Sequence, residues 1–301
     1  MKRWILTFGI LLALPMFGFA ETYWGGELPS IDNTRVKADV TINGDIYDFS
    51  YIIINMANNS GYIWRFRVDV RQPQAGADVN GEGLVSGPGF LKQTSALILS
   101  EPTTPKMIPF GLFSPPNWHS SVDVLGQVGW GSNDAKYRIL PDQSLDGFHI
   151  TSRGLPGLRD FTIEPKLIPP SEEGDVTNDQ IQEVEDKVAF KGQTLGPTAP
   201  PANFVALDFV NYIIDLKHQA GTLGWITNPG VPDSLDVKLD QVKKHIQAGN
   251  TKPAVNVLNA FLNELDAQGC PKYEGCPPGK HLLPEAWALL KFNAEYLLGK
   301  L

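Results

Sequence analysis

The sequence predicts an all-β domain of the antiparallel sandwich or jelly-roll type, followed by an all-α helical bundle. Between residues 21 and 165, short segments alternate apolar and polar side chains with a period of two, which is typical of half-buried strands. From 203 to 301 the apolar spacing is that of amphipathic helices. A proline-rich and acidic stretch at 166–202 separates the two patterns and indicates a linker, so we expect two domains.

Residues 1–20 have the composition of a secretory signal peptide. A basic start at Lys2 and Arg3 precedes an apolar run over residues 4–14, and small residues close the segment at 18–20. The apolar run is shorter than the roughly 20 residues that cross a bilayer, so we do not expect an integral membrane protein. We expect an exported chain, extracellular or at the cell surface, with the periplasm left open.

The strands of the amino-terminal part are predicted from its alternating segments. Residues 36–42 alternate, Asn43-Gly44 predicts a hairpin turn, and residues 47–56 return as the partner strand. The segment 64–70 alternates large apolar with charged side chains and predicts a third, half-buried strand. Further short strands are expected at 121–124, 127–130, 145–150 and 160–163.

Four helices are predicted in the carboxy-terminal part. The first spans about 207–221, and the fourth begins at Pro284. Between them, Ser234 is a candidate cap for the second helix and Thr251 for the third. A Gly-Asn turn joins these two helices, so they form an antiparallel hairpin whose apolar face needs further helices to cover it.

One set of positions in this hairpin forms a distinctive pattern: Leu235, Leu239, Val242, Ile246, Gly249-Asn250, Ala254, Leu258, Phe261 and Leu265, followed later by Leu282, Ala286 and Leu290. The pattern resembles the FIMAH-type helical module and covers about residues 204–298. The resemblance implies a carboxy-terminal module of a secreted bacterial protein, beside a protease, a glycosidase or a surface-binding domain. It brings no catalytic residue. The segment 269–280 departs from the family pattern, which has a short turn there.

Cys270 and Cys276 are the only two cysteines. In an oxidising compartment we expect them to form a disulfide. The alternative is a metal site with His281 as a third ligand, but the spacing differs from that of zinc sites. We therefore expect no metal.

A long segment rich in glycine and proline, residues 71–89, predicts an exposed loop of the kind that often carries function. Within it, residues 78–83 begin like a calcium-binding loop. The twelfth position of that loop is Gly89, where a bidentate acid is needed, so a solvated loop is the better interpretation.

Trp118 and Trp130 are the candidate ligand-binding residues. Together with Trp64 and Tyr137 they are compatible with a face on which sugar rings stack, although aromatic residues at strand spacing more often form a core. Trp118 follows two prolines and is the residue most expected to be exposed.

The sequence favours a binding function over catalysis. It contains no HExxH or GxSxG motif and no glycine-rich phosphate loop, so we identify no catalytic residue and no cofactor. Its net charge of −8 gives no basic surface for nucleic acid. We expect an exported accessory protein that recognises a polysaccharide or another cell-surface ligand through the sandwich. The alternatives are a hydrolase with its site in the loops at 71–90 and 110–120, and a structural component of the envelope.

Reduction of the expected disulfide has a small stability cost. Because Cys270 and Cys276 close only a short loop, reduction lowers the free energy of unfolding by about 2 kcal/mol. Urea denaturation with and without a reductant measures the cost, and intact mass after alkylation counts the thiols. Two free thiols in the native exported protein would exclude the disulfide.

Overall fold

A computed structural model describes residues 22–23, 26–71, 110–123, 126–167 and 178–301. The expected signal peptide at 1–20, the calcium-like segment at 78–83 and the rest of the 71–89 loop beyond Arg71 lie outside the described residues. Within the described ranges, no helix is long and apolar enough to cross a membrane.

Eleven strands and five α-helices make up the described residues. The strands are β1 (Thr22–Tyr23), β2 (Gly26–Glu27), β3 (Thr34–Asn43), β4 (Ile46–Asn55), β5 (Ile63–Asp69), β6 (Phe110–Phe113), β7 (His119–Val122), β8 (Gln127–Gly131), β9 (Gln143–Ser152), β10 (Leu155–Pro165) and β11 (Phe190–Thr198). The helices are α1 (Asn178–Val188), α2 (Ala206–Thr222), α3 (Gly230–Gln247), α4 (Thr251–Gln268) and α5 (Pro284–Leu298).

Two antiparallel sheets form the amino-terminal part, as the alternating pattern predicted. One sheet has the strand order β3-β4-β9-β6 and the other has β11-β10-β5-β8-β7. The expected hairpin joins β3 to β4, with Asn43 opposite Ile46 and a two-residue turn in which Gly44 has φ of 65°. Glycine adopts this left-handed conformation without strain, which is why a Gly-containing pair marks the turn.

Part of the predicted linker belongs to the second sheet, and this corrects the expected span of 166–202. The segment β11 pairs with β10 from Thr198 opposite Leu155 to Phe190 opposite Ile163. The glycines of β11 leave room for side chains of β10 to lie across the strand. A Cβ at Gly192 would lie 2.8 Å from the Phe161 ring.

The aromatic residues proposed as an exposed platform lie in the core, so that prediction is wrong. Trp118 is 4% exposed and Trp130 is 1% exposed. The Trp130 ring stacks on Phe66 with a centroid distance of 5.3 Å, and Trp118 meets the edge of Phe148 at 5.1 Å. The indole N–H of Trp130 donates to the backbone carbonyl of Phe113, and that of Trp118 donates to the backbone carbonyl of Tyr137. Each ring therefore buries its one polar atom with a hydrogen-bond partner.

The predicted helical hairpin is confirmed by α3 and α4. Its turn contains Gly249 with φ of 71°, again in the left-handed region. Helix α3 begins at Gly230, before the expected cap, so Ser234 lies inside the helix. The buried stripes are Leu235, Leu239 and Val242 on α3, and Ala254, Leu258, Phe261, Leu262 and Leu265 on α4.

Helix α5 packs against both the sandwich and the other helices. It is apolar around most of its circumference, and Pro284 occupies its first turn as the sequence indicated. On the sandwich side, Phe292 meets Tyr47 edge to face at 5.2 Å. The two parts expected as separate domains therefore share a continuous apolar core.

Glu285 connects α5 to the side of β3 that faces away from β4. It is 2% exposed, and its Oε1 accepts the backbone N–H of Ala38 at 2.9 Å. The Tyr273 hydroxyl donates to the same carboxylate at 2.6 Å, while the Tyr273 backbone N–H donates to Asp39. Among the described strands, β3 pairs only with β4, and Glu285 lies against its other side. Burial raises the pKa of Glu285 to about 7, although the hydrogen bonds from Tyr273 and Ala38 oppose the shift.

We expect Trp118→Ala to lower the free energy of unfolding by about 3–5 kcal/mol, because it empties space in the sandwich core. Tyr62→Ala is the control, since Tyr62 is exposed and its loss costs at most about 0.5 kcal/mol. Chemical denaturation of the three proteins tests this. Equal stabilities would contradict the buried position of Trp118.

Glu285 makes stability depend on pH. Since its pKa in the folded protein is about 7 and its unfolded value is about 4.3, the folded state retains a proton that the unfolded state releases between these values. The free energy of unfolding therefore falls as the pH rises from about 4.3 to 7, by about 4 kcal/mol in total.

Glu285→Gln keeps an oxygen for Ala38 and Tyr273 but cannot ionise. We expect it to match the native protein near pH 4.5 and to be more stable above pH 7. Denaturant titrations across pH 4.5–8 measure the difference. A parallel pH dependence in both proteins would show that Glu285 does not titrate in this range.

Candidate binding site

A cavity of about 450 Å³ lies where the sandwich meets the helices. Strand β10, the end of β11, the connection that follows it, α2 and α5 all contribute to its walls. The lining residues are Leu155, Leu158, Arg159, Thr198, Ala199, Pro201, Asn203, Val205, Asp208, Phe209, Tyr212, Leu216, Gln219 and Asn293.

Arg159 provides a buried charge at the cavity. It lies on β10 next to Gly196, where a Cβ would come within 2.8 Å of its side chain, so the glycine leaves room for it. Its Nε donates to the carbonyl of Pro197 at 3.0 Å, and its Nη1 donates to the carbonyl of Arg71 at 2.8 Å. Burial lowers the pKa of Arg159, while Tyr212 and Asp69 act in the opposite direction. The guanidinium thereby ties the end of β11 to Arg71, just after β5.

Asn293, on α5, is a fully buried amide in the wall of the cavity. Its side-chain amide is completely buried, and Nδ2 donates to the carbonyls of Pro156 at 2.8 Å and Leu289 at 2.7 Å. Both partners are acceptors, so they fix the orientation of the amide. Among the described residues, Oδ1 of Asn293 has no hydrogen-bond partner.

The remaining lining divides into a buried apolar interior and an exposed rim of mixed character. Leu155, Phe209 and Leu216 are buried, whereas Val205 and Asp208 are exposed. A concave site with apolar walls and a few fixed polar groups is suited to holding a small molecule in a defined orientation.

The structure separates the residues that sequence reasoning had grouped as a site. Trp118 and Trp130 are within the sandwich and do not line the cavity. The expected disulfide joins Cys270 to Cys276. The loop that it closes carries Tyr273, which donates to Glu285 through its hydroxyl and to Asp39 of β3 through its backbone N–H.

Sequence reasoning missed both buried polar residues of the cavity. Both positions stand out in the sequence, because Arg159 is a charged residue among the inward-facing residues of β10 and Asn293 is a polar residue in a predominantly apolar helix. A single polar residue in an apolar pattern does not show which element it meets. No group of three or more His, Cys, Asp or Glu side chains in the described part of the chain is arranged to hold a metal.

The comparisons with known proteins concern each part separately. Residues 213–274 match the FIMAH domain. The FIMAH match extends from α2 into the disulfide loop and ends before α5. No curated protein sequence matches the chain. A solved structure of an uncharacterized protein from Nocardia farcinica, described as having an immunoglobulin-like fold, covers 55% of this chain and 98% of its own, with 11% identity and a TM-score of 0.27.

Proposed function

We propose that the protein is an exported accessory protein that binds a component of the cell surface in the cavity between its sandwich and its helices. The cavity carries this proposal. Its volume of about 450 Å³ is within the range of small-molecule sites, which is about 300–1,000 Å³. Its walls come from both parts of the chain, as at many binding sites between domains.

Several features support export. Residues 1–20 have the composition of a signal peptide, and residues 213–274 match a domain that occurs in exported proteins. The Cys270–Cys276 disulfide is of a kind that persists in oxidising compartments. Together they favour a location outside the cytoplasm.

We propose binding rather than catalysis, and the cavity rather than an aromatic platform. The apolar interior orients a ligand but supplies little that would transform it. Polysaccharide recognition by Trp118 and Trp130 loses its physical basis, because both rings are buried. A cell-surface component that inserts an apolar group into the cavity fits the walls better.

Two exposed valines provide a matched pair of variants to test this function. Val205, at the cavity rim, is 51% exposed, and Val237, on α3 away from the cavity, is 58% exposed. We expect Val205→Trp to obstruct the cavity and to reduce binding to isolated cell-envelope material at least tenfold. Val237→Trp adds the same ring elsewhere and should bind like the native protein.

Cosedimentation of the purified protein with envelope material measures the binding. Circular dichroism and the melting temperature establish that both variants are folded. Unchanged binding of the Val205→Trp variant would refute the cavity as the functional site and favour a structural envelope role.

A further inference from the structure

We propose that the disulfide loop, which Cys270 and Cys276 close, is a pH-sensitive latch between the helical region and β3. The loop is closed on β3 while the carboxyl group of Glu285 keeps its proton, and it is released when that group ionises. This inference is independent of the proposed function, because the loop does not line the cavity.

The disulfide loop is attached to the sandwich through Tyr273. This residue is half-buried, whereas its neighbours between the two cysteines are exposed: Pro271, Lys272, Glu274 and Gly275. The Tyr273 hydroxyl donates to both oxygens of Glu285, at 2.8 and 2.6 Å, and its backbone N–H donates to Oδ1 of Asp39 at 3.3 Å. The ammonium group of Lys37 lies 4.4 Å from the centre of the Tyr273 ring, as a cation–π contact. Movement of this one residue therefore detaches the loop from β3.

Tyr273 lies between two carboxyl groups that have little access to water. Glu285 is 2% exposed and Asp39 is half-buried. Burial raises the pKa of Glu285 to about 7 and also raises the pKa of Asp39. Lys272 and Lys37 favour the ionised form of Asp39, whereas the charge of Asp39 disfavours ionisation of Glu285. Asp39 therefore ionises first, and Glu285 is the group that keeps a proton.

Other groups around the junction do not remove the cost of a charge on Glu285. The hydroxyl of Tyr273 and the backbone N–H of Ala38 favour its ionised form, but burial outweighs these two neutral donors. On α5, Lys291 lies more than one turn beyond Glu285 and pairs with Asp266 at 2.7 Å. The ionised carboxylate is therefore unfavourable while the loop is closed.

Release of the loop relieves this cost. A buried charge regains its hydration once water reaches it, and the outward movement of Tyr273 admits water because its hydroxyl is bonded to both carboxylate oxygens. The open state therefore ionises near the ordinary pKa of about 4.3, whereas the closed state ionises at about 7. The loop is fully closed below the lower value, and its opening increases as the pH rises towards the higher one.

Hydrogen exchange at tyrosine amides tests the latch on the native protein. Isotope-labelled tyrosine gives NMR signals from only eight residues, and Tyr273→Phe identifies the signal of Tyr273. Tyr51 is the internal reference, because it lies within β4 between β3 and β9 and its amide exchanges only when the sheet opens.

We expect the Tyr273 amide to be less protected than that of Tyr51. After correction for the intrinsic rate, its protection should fall at least tenfold between about pH 5 and pH 7. Low urea concentrations should accelerate exchange at Tyr51 and leave Tyr273 unchanged, because local opening of the loop exposes little surface.

Two variants locate the titrating group. Glu285→Gln cannot ionise and should abolish the pH response of the Tyr273 amide. Glu274→Gln removes the same charge from an exposed position on the loop and should respond like the native protein.

Two results would overturn the inference. One is a pH response of Tyr273 that persists in Glu285→Gln. The other is an equal urea dependence of Tyr273 and Tyr51 in the native protein, which would show that the loop opens only when the whole protein unfolds. Because the second measurement needs no variant, it decides the question even if Glu285→Gln does not fold.

Discussion

The burial of α5 between the sheets and the other helices is the constraint on which the rest of the structure depends. Its apolar side chains cover the open side of the sandwich and complete the core of the helical bundle. Its two buried polar side chains, Glu285 and Asn293, bond to the backbone of β3 and β10. Removal of α5 would expose apolar surface on both sides, so the two parts stabilise each other.

The cavity is a consequence of this arrangement. Strand β10 and α5 supply its buried polar residues, Arg159 and Asn293, while α2 supplies much of its apolar wall. A ligand in this position touches the sandwich and the helices together. Its binding free energy therefore stabilises the junction as well as the complex, because a ligand that binds only the folded state raises stability by mass action.

The disulfide loop supports the same junction from the other end of α5. Closing the loop between Cys270 and Cys276 limits the conformations of Tyr273, whose hydroxyl and backbone N–H reach Glu285 and Asp39. The disulfide loop is thus a part of the helical region that contacts β3 directly.

The sequence by itself determined the fold class, the β3–β4 hairpin, the α3–α4 hairpin and the cysteine pairing, because each depends on local periodicity, turn chemistry or a short separation along the chain. It did not determine that β11 pairs with β10, that Trp118 and Trp130 face inward, or that Arg159 and Asn293 line one cavity. Those features depend on contacts between residues far apart in sequence. An alternating pattern shows that a strand has two faces, but only packing against a second layer decides which face is buried and which polar atom is left without a partner.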